Sequence, residues 1–214
     1  MILVDLPGHG RSALPAGRLS VAGMAADIEV LLRHLGEGPA HVVGLSLGAC
    51  VALALALRAP ARVRSLTLVN AFARLRPANT GAVLRLALRA LLLGTAPMTT
   101  VAALVAQTVF PRPEHAELRQ AAAASLARTS RRSYVAAAAA VTAFDARASL
   151  AEVRCPTMIV AGIDDRTVGI DAKNALAHAI AGARLILVPD SGHATNIDQP
   201  LAFNAVLTEF LAGR

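Results

Sequence analysis

Along the chain, short apolar runs ended by turn residues alternate with stretches in which apolar side chains recur every third or fourth position. These are the periodicities of a buried strand and of a helix packed on one face. Residues 2–4 (Ile, Leu, Val) lead into Asp5-Leu6-Pro7-Gly8-His9-Gly10 and predict a strand entering a turn. Ser20 stands as the N-cap of a helix in which Met24, Ile28, Leu31, Leu32 and Leu35 repeat up to Gly36. A strand over 40–45, a helix over 47–59 stopped by Pro60, and a strand over 65–69 follow. Residues 79–148 are rich in Ala and Leu, with helical periodicity and no strand pattern. Beyond Pro156 the pattern predicts a strand over 157–161, a helix over 171–180, a strand over 184–188 and a closing helix over 201–211.

Strands alternating with helices predict an α/β fold, a mostly parallel sheet flanked by helices. The expected division is one domain over 1–214, with a core of 1–70 and 149–214 and a helical lid over about 71–148. A length of 214 residues suits a single core.

Composition narrows the function classes. Hydrophobic residues make up 55% and charged residues 16%, which excludes a disordered chain. Aromatics at 3% are too few for a stacking platform that binds single-stranded nucleic acid. The net charge of +7 comes almost wholly from arginine, because Lys173 is the only lysine. The arginines are scattered, with only Arg131 and Arg132 adjacent, and read as solvated faces; no nucleic-acid partner is expected. Cys50 and Cys155 lack metal-ligand spacing and read as buried thiols in a reducing compartment. No secretory signal opens the chain, and a cytoplasmic location is expected.

Two uncharged stretches approach the length of about 20 apolar residues that spans a bilayer. Residues 38–57 contain His41, Ser46 and several glycines, and read as strand, turn and helix. Residues 90–111 are broken by Gly94, Pro97, Thr99, Thr100 and Gln107, and read as two buried helical pieces. No stable membrane span is expected, and the sequence assigns no oligomeric state.

The chemistry centres on Gly44-Leu45-Ser46-Leu47-Gly48. A serine hydroxyl attacks well only when a base takes its proton and donors hold the developing oxyanion. Between an apolar β-type run and an apolar helix, glycines two before and two after a serine predict a strained turn that exposes the hydroxyl. That turn aims the backbone N–H of Leu47, at the helix N-terminus, toward the new negative charge. Ser46 is therefore the candidate nucleophile. His193, in Pro189-Asp190-Ser191-Gly192-His193 after the strand 184–188, is the candidate base. Asp164 and Asp165 follow the strand 157–161; adjacent side chains point apart, so only one of them can orient the histidine.

With these residues in place the chain resembles the α/β-hydrolase superfamily over its whole length, most closely small lidded hydrolases such as 3-oxoadipate enol-lactonases. The matching motifs are Asp5-Leu6-Pro7-Gly8-His9-Gly10-Arg11-Ser12, the elbow Gly44 to Gly48, Gly162-Ile163-Asp164-Asp165 and Ser191-Gly192-His193. The resemblance selects Asp165 over Asp164, because the acid of the family usually closes a Gly-x-x-Asp run. Some members place the acid one strand earlier, where this chain has Asn70, a neutral amide. The Gly8-His9-Gly10 turn looks structural in the family. A serine at the elbow argues against epoxide opening and halide displacement, which use an aspartate.

The resemblance also implies that residues 2–4 are the fourth strand of an eight-stranded sheet, with strands one to three lacking a counterpart. The expectation is that Met1 is an internal start or that the sequence is a fragment, with an unpaired edge on the strand that carries Ser46. The loop giving the second oxyanion donor would then be missing, and the chain alone would be unstable or nearly inactive. The implied function is cleavage of a small-molecule carboxylic ester or lactone through an acyl-enzyme, with no metal and no organic cofactor. The alternatives are a weakly active or non-catalytic binding remnant of the fold, and a peroxidase or carbon–carbon-bond hydrolase on the same three residues.

Overall fold

The computed structural model of the protein describes residues 1–36, 38–77 and 79–213. In chain order its elements are α1 (Val21–His34), β1 (Ala40–Leu45), α2 (Leu47–Arg58), β2 (Val63–Val69), α3 (Thr80–Thr95), α4 (Met98–Val109), α5 (Ala116–Ala127), α6 (Arg131–Ala143), β3 (Thr157–Gly162), α7 (Ile170–Ala179), β4 (Arg184–Val188), α8 (Thr195–Asp198) and α9 (Pro200–Ala212). Ser20 caps α1 by accepting from the Gly23 N–H, and Pro60 opens a 3₁₀ turn that ends α2. The observed bounds lie within two residues of those the periodicity predicts, the widest gaps being the early start of β2 and the end of α1.

The strands form one parallel sheet in the order β1-β2-β3-β4, with Val42 beside Leu66, Leu68 beside Ile159 and Val160 beside Ile186. Side chains alternate across it, so each face has its own core. Leu66, Leu68 and Ile159 pack with α1, α2 and α7 in the larger cluster, including Met24, Leu53, Leu55 and Leu176. Val69, Met158, Val160 and Val188 pack with Phe203 and Phe210 of α9 on the other face. Burial on both faces explains why β3 reads as a nearly continuous apolar run, whereas β2 carries the buried polar residues Ser65 and Thr67 among its apolar ones. α2 lies between α1 and the sheet, and Ala49 through Leu53 are buried together. Cys50 is among them, and burial pushes its thiol up to about 12, which keeps it inert. Cys155 is only half-buried, so just one cysteine is the core thiol expected.

Two expectations are corrected. Residues 2–4 form no strand: a strand exists through its ladder, and no described strand lies beside them. Ile2, Leu3 and Val4 are all exposed, and β1 is the outermost described strand of the sheet. Residues 1–4 and β1 instead flank a largely apolar groove of about 820 Å³. The second correction concerns residues 90–111. α4 buries Val101, Ala102 and Ala106, but α3 buries nothing and leaves Leu84 and Leu91 exposed. α3 packs chiefly on α4, so its apolar positions outnumber those that one neighbour can cover. No helix of the described residues is long and apolar enough to cross a membrane.

Candidate active site

Because the strands are parallel, their C-terminal ends share one edge, and each candidate residue follows a strand there. Ser46 follows β1, Asp165 follows β3 and His193 follows β4. Backbone strain marks the same edge. The three non-glycine residues with positive φ among those described are Ser46 (51°), Asn70 (46°) and Asp190 (57°), each within two residues of a strand end. Such conformations cost about 1–3 kcal/mol each and persist only where the surroundings over-determine them.

At Ser46 the surroundings are the turn itself. Its N–H donates to the Val69 carbonyl at 3.0 Å, and its own carbonyl accepts from the Cys50 N–H at 3.0 Å. A Cβ on Gly44 would lie 2.2 Å from the Gly48 carbonyl oxygen, so strand and helix cross too closely for any other residue. Gly48 has no such constraint, since a Cβ there would meet nothing within 4 Å. The close approach therefore requires one of the two glycines, not both. Ser46 is half-buried, and Leu47 opens α2 with an N–H that has no intrahelical acceptor. Among the described residues the Ser46 hydroxyl makes no hydrogen bond, so none joins it to the His193 ring. Catalytic hydrogen bonds are often long without substrate and tighten when it binds.

Asp165 is the carboxylate that meets His193. Its Oδ2 accepts from His193 Nδ1 at 3.0 Å, and its Oδ1 accepts from the N–H groups of Thr167 and Val168 at 2.8 and 3.1 Å. The neighbouring Asp164 points the other way and pairs with Arg112 at 2.9 Å. Burial alone would raise the Asp165 carboxyl. The charges of His193 and Lys173 and the hydrogen bonds they donate outweigh it and hold the group at about 2. An ionised partner at Nδ1 fixes the proton there and leaves Nε2 as the basic nitrogen.

The His193 loop is held from three sides. Asn70, fully buried, donates through Nδ2 to the carbonyls of Gly192 (3.2 Å) and His193 (2.8 Å) and to Thr195 Oγ1 (2.8 Å). Its Oδ1 accepts from the Gly162 N–H at 2.9 Å. Asp198 accepts from Ser191 Oγ (2.8 Å) and from the Gly192 N–H (2.6 Å). From the end of α4, the Val109 carbonyl accepts from the His193 N–H at 2.8 Å, and a Cβ on Gly192 would lie 2.4 Å from that same oxygen. Asn70, Asp198 and Lys173 were not singled out as site residues from the sequence. Asn70 carries a signal only as the neutral amide at the alternative acid position, and Lys173 as the one lysine in an arginine-rich chain.

The 5–12 motif folds on itself. The Asp5 carboxylate accepts from the Arg11 N–H, the Asp5 carbonyl from Ser12 Oγ, and His9 Nδ1 lies 3.1 Å from the Pro7 carbonyl. No group of three His, Cys, Asp or Glu among the described residues could hold a metal ion.

The chain as a whole has known relatives. Residues 1–200 match the model of the alpha/beta hydrolase fold family. A relative from Pseudomonas savastanoi pv. phaseolicola, named "Putative carbamate hydrolase RutD", is 34% identical over 220 residues, covering 99% of this chain and 83% of its own. Among solved structures, a hydrolase from Pseudomonas aeruginosa aligns with a TM-score of 0.86 at 34% identity, over 97% of this chain and 77% of that one. The enol-lactonase from Burkholderia xenovorans aligns with a TM-score of 0.87 at 26% identity, over 97% and 79%. The chain belongs to the alpha/beta hydrolase fold family.

Proposed function

We propose that the protein hydrolyses a small-molecule carboxylic ester or lactone through an acyl-enzyme on Ser46. The observation that carries this reading is the pairing of a strained, half-buried serine at the start of α2 with a buried Asp165–His193 couple on the same sheet edge. In the first step Ser46 Oγ attacks the carbonyl carbon while His193 Nε2 takes the hydroxyl proton. Asp165 keeps the ring in the required tautomer and balances the imidazolium. The Leu47 N–H, at the positive end of α2, donates to the oxyanion. The imidazolium then returns its proton to the leaving oxygen, and water repeats the sequence to release the acid. In a lactone the leaving oxygen stays tethered to the acyl group.

The helical block α3–α6 lies between β2 and β3 in the chain and reaches the site through Val109, so in this reading it serves as the lid over the site. A second substrate class shares this chemistry. A carbamate is attacked at the same carbon, and the name borne by the 34% identical relative favours including it. Initial rates on p-nitrophenyl acetate, a γ-lactone and a phenyl carbamate, for the wild type and Ser46→Ala, decide among them. Ester or lactone turnover that Ser46→Ala abolishes supports the proposal. Turnover of the carbamate alone replaces the substrate class and leaves the mechanism standing.

A further inference from the structure

The one lysine of the chain is buried against the site. Lys173, on α7, is fully enclosed, and its Nζ lies 2.8 Å from Asp165 Oδ2, with both side chains only 1% exposed. It also donates to the Gly162 carbonyl at 3.3 Å. Asp165 Oδ2 is the same oxygen that accepts from His193 Nδ1, so the ammonium and the imidazole nitrogen share one carboxylate oxygen and sit within about 6 Å of each other. Burying an ammonium is costly, and burial pulls Lys173 below the usual lysine range while the Asp165 charge opposes that pull. A core position of this size takes a leucine or methionine at lower cost, so stability alone gives no reason for a charge here.

Resting on the hydrolase reading above, we propose that Lys173 is a positioning residue. Its ammonium holds the Asp165 carboxylate toward His193 and offsets part of its negative charge, and so sets the pH below which His193 stops acting as a base. A carboxylate beside a histidine favours the imidazolium, and a cation at similar range disfavours it. Removing the cation therefore favours the imidazolium, while Asp165 still orients the ring.

The other charged groups around the couple are engaged elsewhere. Asp164 and Asp190 face Arg112 from the loops after β3 and β4, and Glu114 pairs with the same guanidinium. Asp198 on α8 is bound to Ser191 and Gly192, and it is the one further carboxylate close enough to Asp165 for the two charges to repel, among the described residues. His115, in the 3₁₀ turn after α4, packs edge-on against Phe110. Lys173 is therefore the only cation whose ion pair is made to Asp165 besides His193 itself, among the described residues.

The test compares pH profiles of kcat/KM for the wild type and Lys173→Met, with covalent labelling by a fluorophosphonate as a parallel readout. The expected result is an acid limb moved to higher pH by about one unit, as for loss of a like charge at this range, while the rate on the plateau falls far less. An acid limb that stays in place while the plateau drops overturns the proposal and leaves Lys173 a structural group. A wild type that is not labelled overturns the hydrolase reading instead, so the two failures are distinct.

Should Lys173→Met fail to fold, the wild type itself supplies the measurement. Because Lys173 is the sole lysine, protein grown on lysine labelled with ¹³C at Cε shows one side-chain resonance. The proposal requires that resonance to move with the midpoint of the acid limb and to lose that step in His193→Gln. A signal flat across the acid limb, or one that titrates like a solvated lysine, contradicts it. This readout needs no turnover and holds even if the substrate class is wrong.

Discussion

The side-chain amide of Asn70 donates to the carbonyl oxygen of His193 at 2.8 Å, joining residues 123 positions apart in the chain. Here the amide spends both its hydrogens and its oxygen on the loops after β3 and β4, so it places the histidine rather than charging it. A carboxylate at 70 could accept from Gly162 but could donate to none of the oxygens that the two amide hydrogens of Asn70 now reach.

Replacing Asn70 with Ala or Asp therefore leaves buried acceptors without donors. The expected loss is about 2–4 kcal/mol, because each unsatisfied buried group costs on the order of 1–3 kcal/mol. Displacing His193 by as little as about 1 Å can reduce kcat/KM by about 10²-fold. Urea unfolding and steady-state rates check the two parts separately.

The two elbow glycines are expected to behave differently. Gly44→Ala drives a methyl into the backbone of residue 48 and should cost about 1–3 kcal/mol, as overpacking does. Gly48→Ala adds a methyl in open space inside a helix, and should be neutral or stabilising by up to about 1 kcal/mol. Thermal unfolding of both variants tests whether the asymmetry of the turn is real.

The paired aspartates make a matched comparison. Asp165→Asn should lower kcat/KM by about 10²–10⁴-fold through the wrong tautomer and the lost charge. Asp164→Asn removes one arm of the partly exposed Arg112 cluster, and should change stability by less than about 1 kcal/mol with activity within a few-fold of wild type.

Asp165 also predicts an acid limit to stability. Its folded carboxyl is held at about 2, below the unfolded value of 3.8, so the unfolded chain binds its proton first as pH falls. The stabilisation is complete above the unfolded value and is lost as pH falls from about 4 to about 2, amounting to roughly 2 kcal/mol. Urea midpoints across that range should decline for the wild type and decline less steeply for Asp165→Asn.

The sequence made the elements visible because the sheet is parallel and covered on both faces. A run such as Met158 to Ala161 is then continuous, and the glycine-bounded serine sits at a strand-to-helix junction. The positions of His193 and of the Asp164–Asp165 pair are legible for the same reason, as each follows a strand whose C-terminal end must reach one edge, while the choice between the two aspartates rests on the family resemblance. What stayed hidden depends on contacts between elements distant in the chain. Periodicity says nothing of how Asn70 spans to residue 193, or that α7 turns Lys173 inward. Residues 2–4 had the composition of a strand, but pairing decides whether an apolar run becomes one. The exposed face of α3 stayed hidden likewise, since apolar spacing shows which side of a helix is apolar and not what covers it.

The central claim, that Ser46 is a nucleophile activated by the Asp165–His193 couple, is tested most directly by intact mass after exposure to a fluorophosphonate. A single covalent adduct that peptide mapping places on Ser46 is the predicted result, absent in Ser46→Ala and slowed strongly in His193→Gln. A folded wild type with no adduct, or an adduct that persists in Ser46→Ala, would contradict the account.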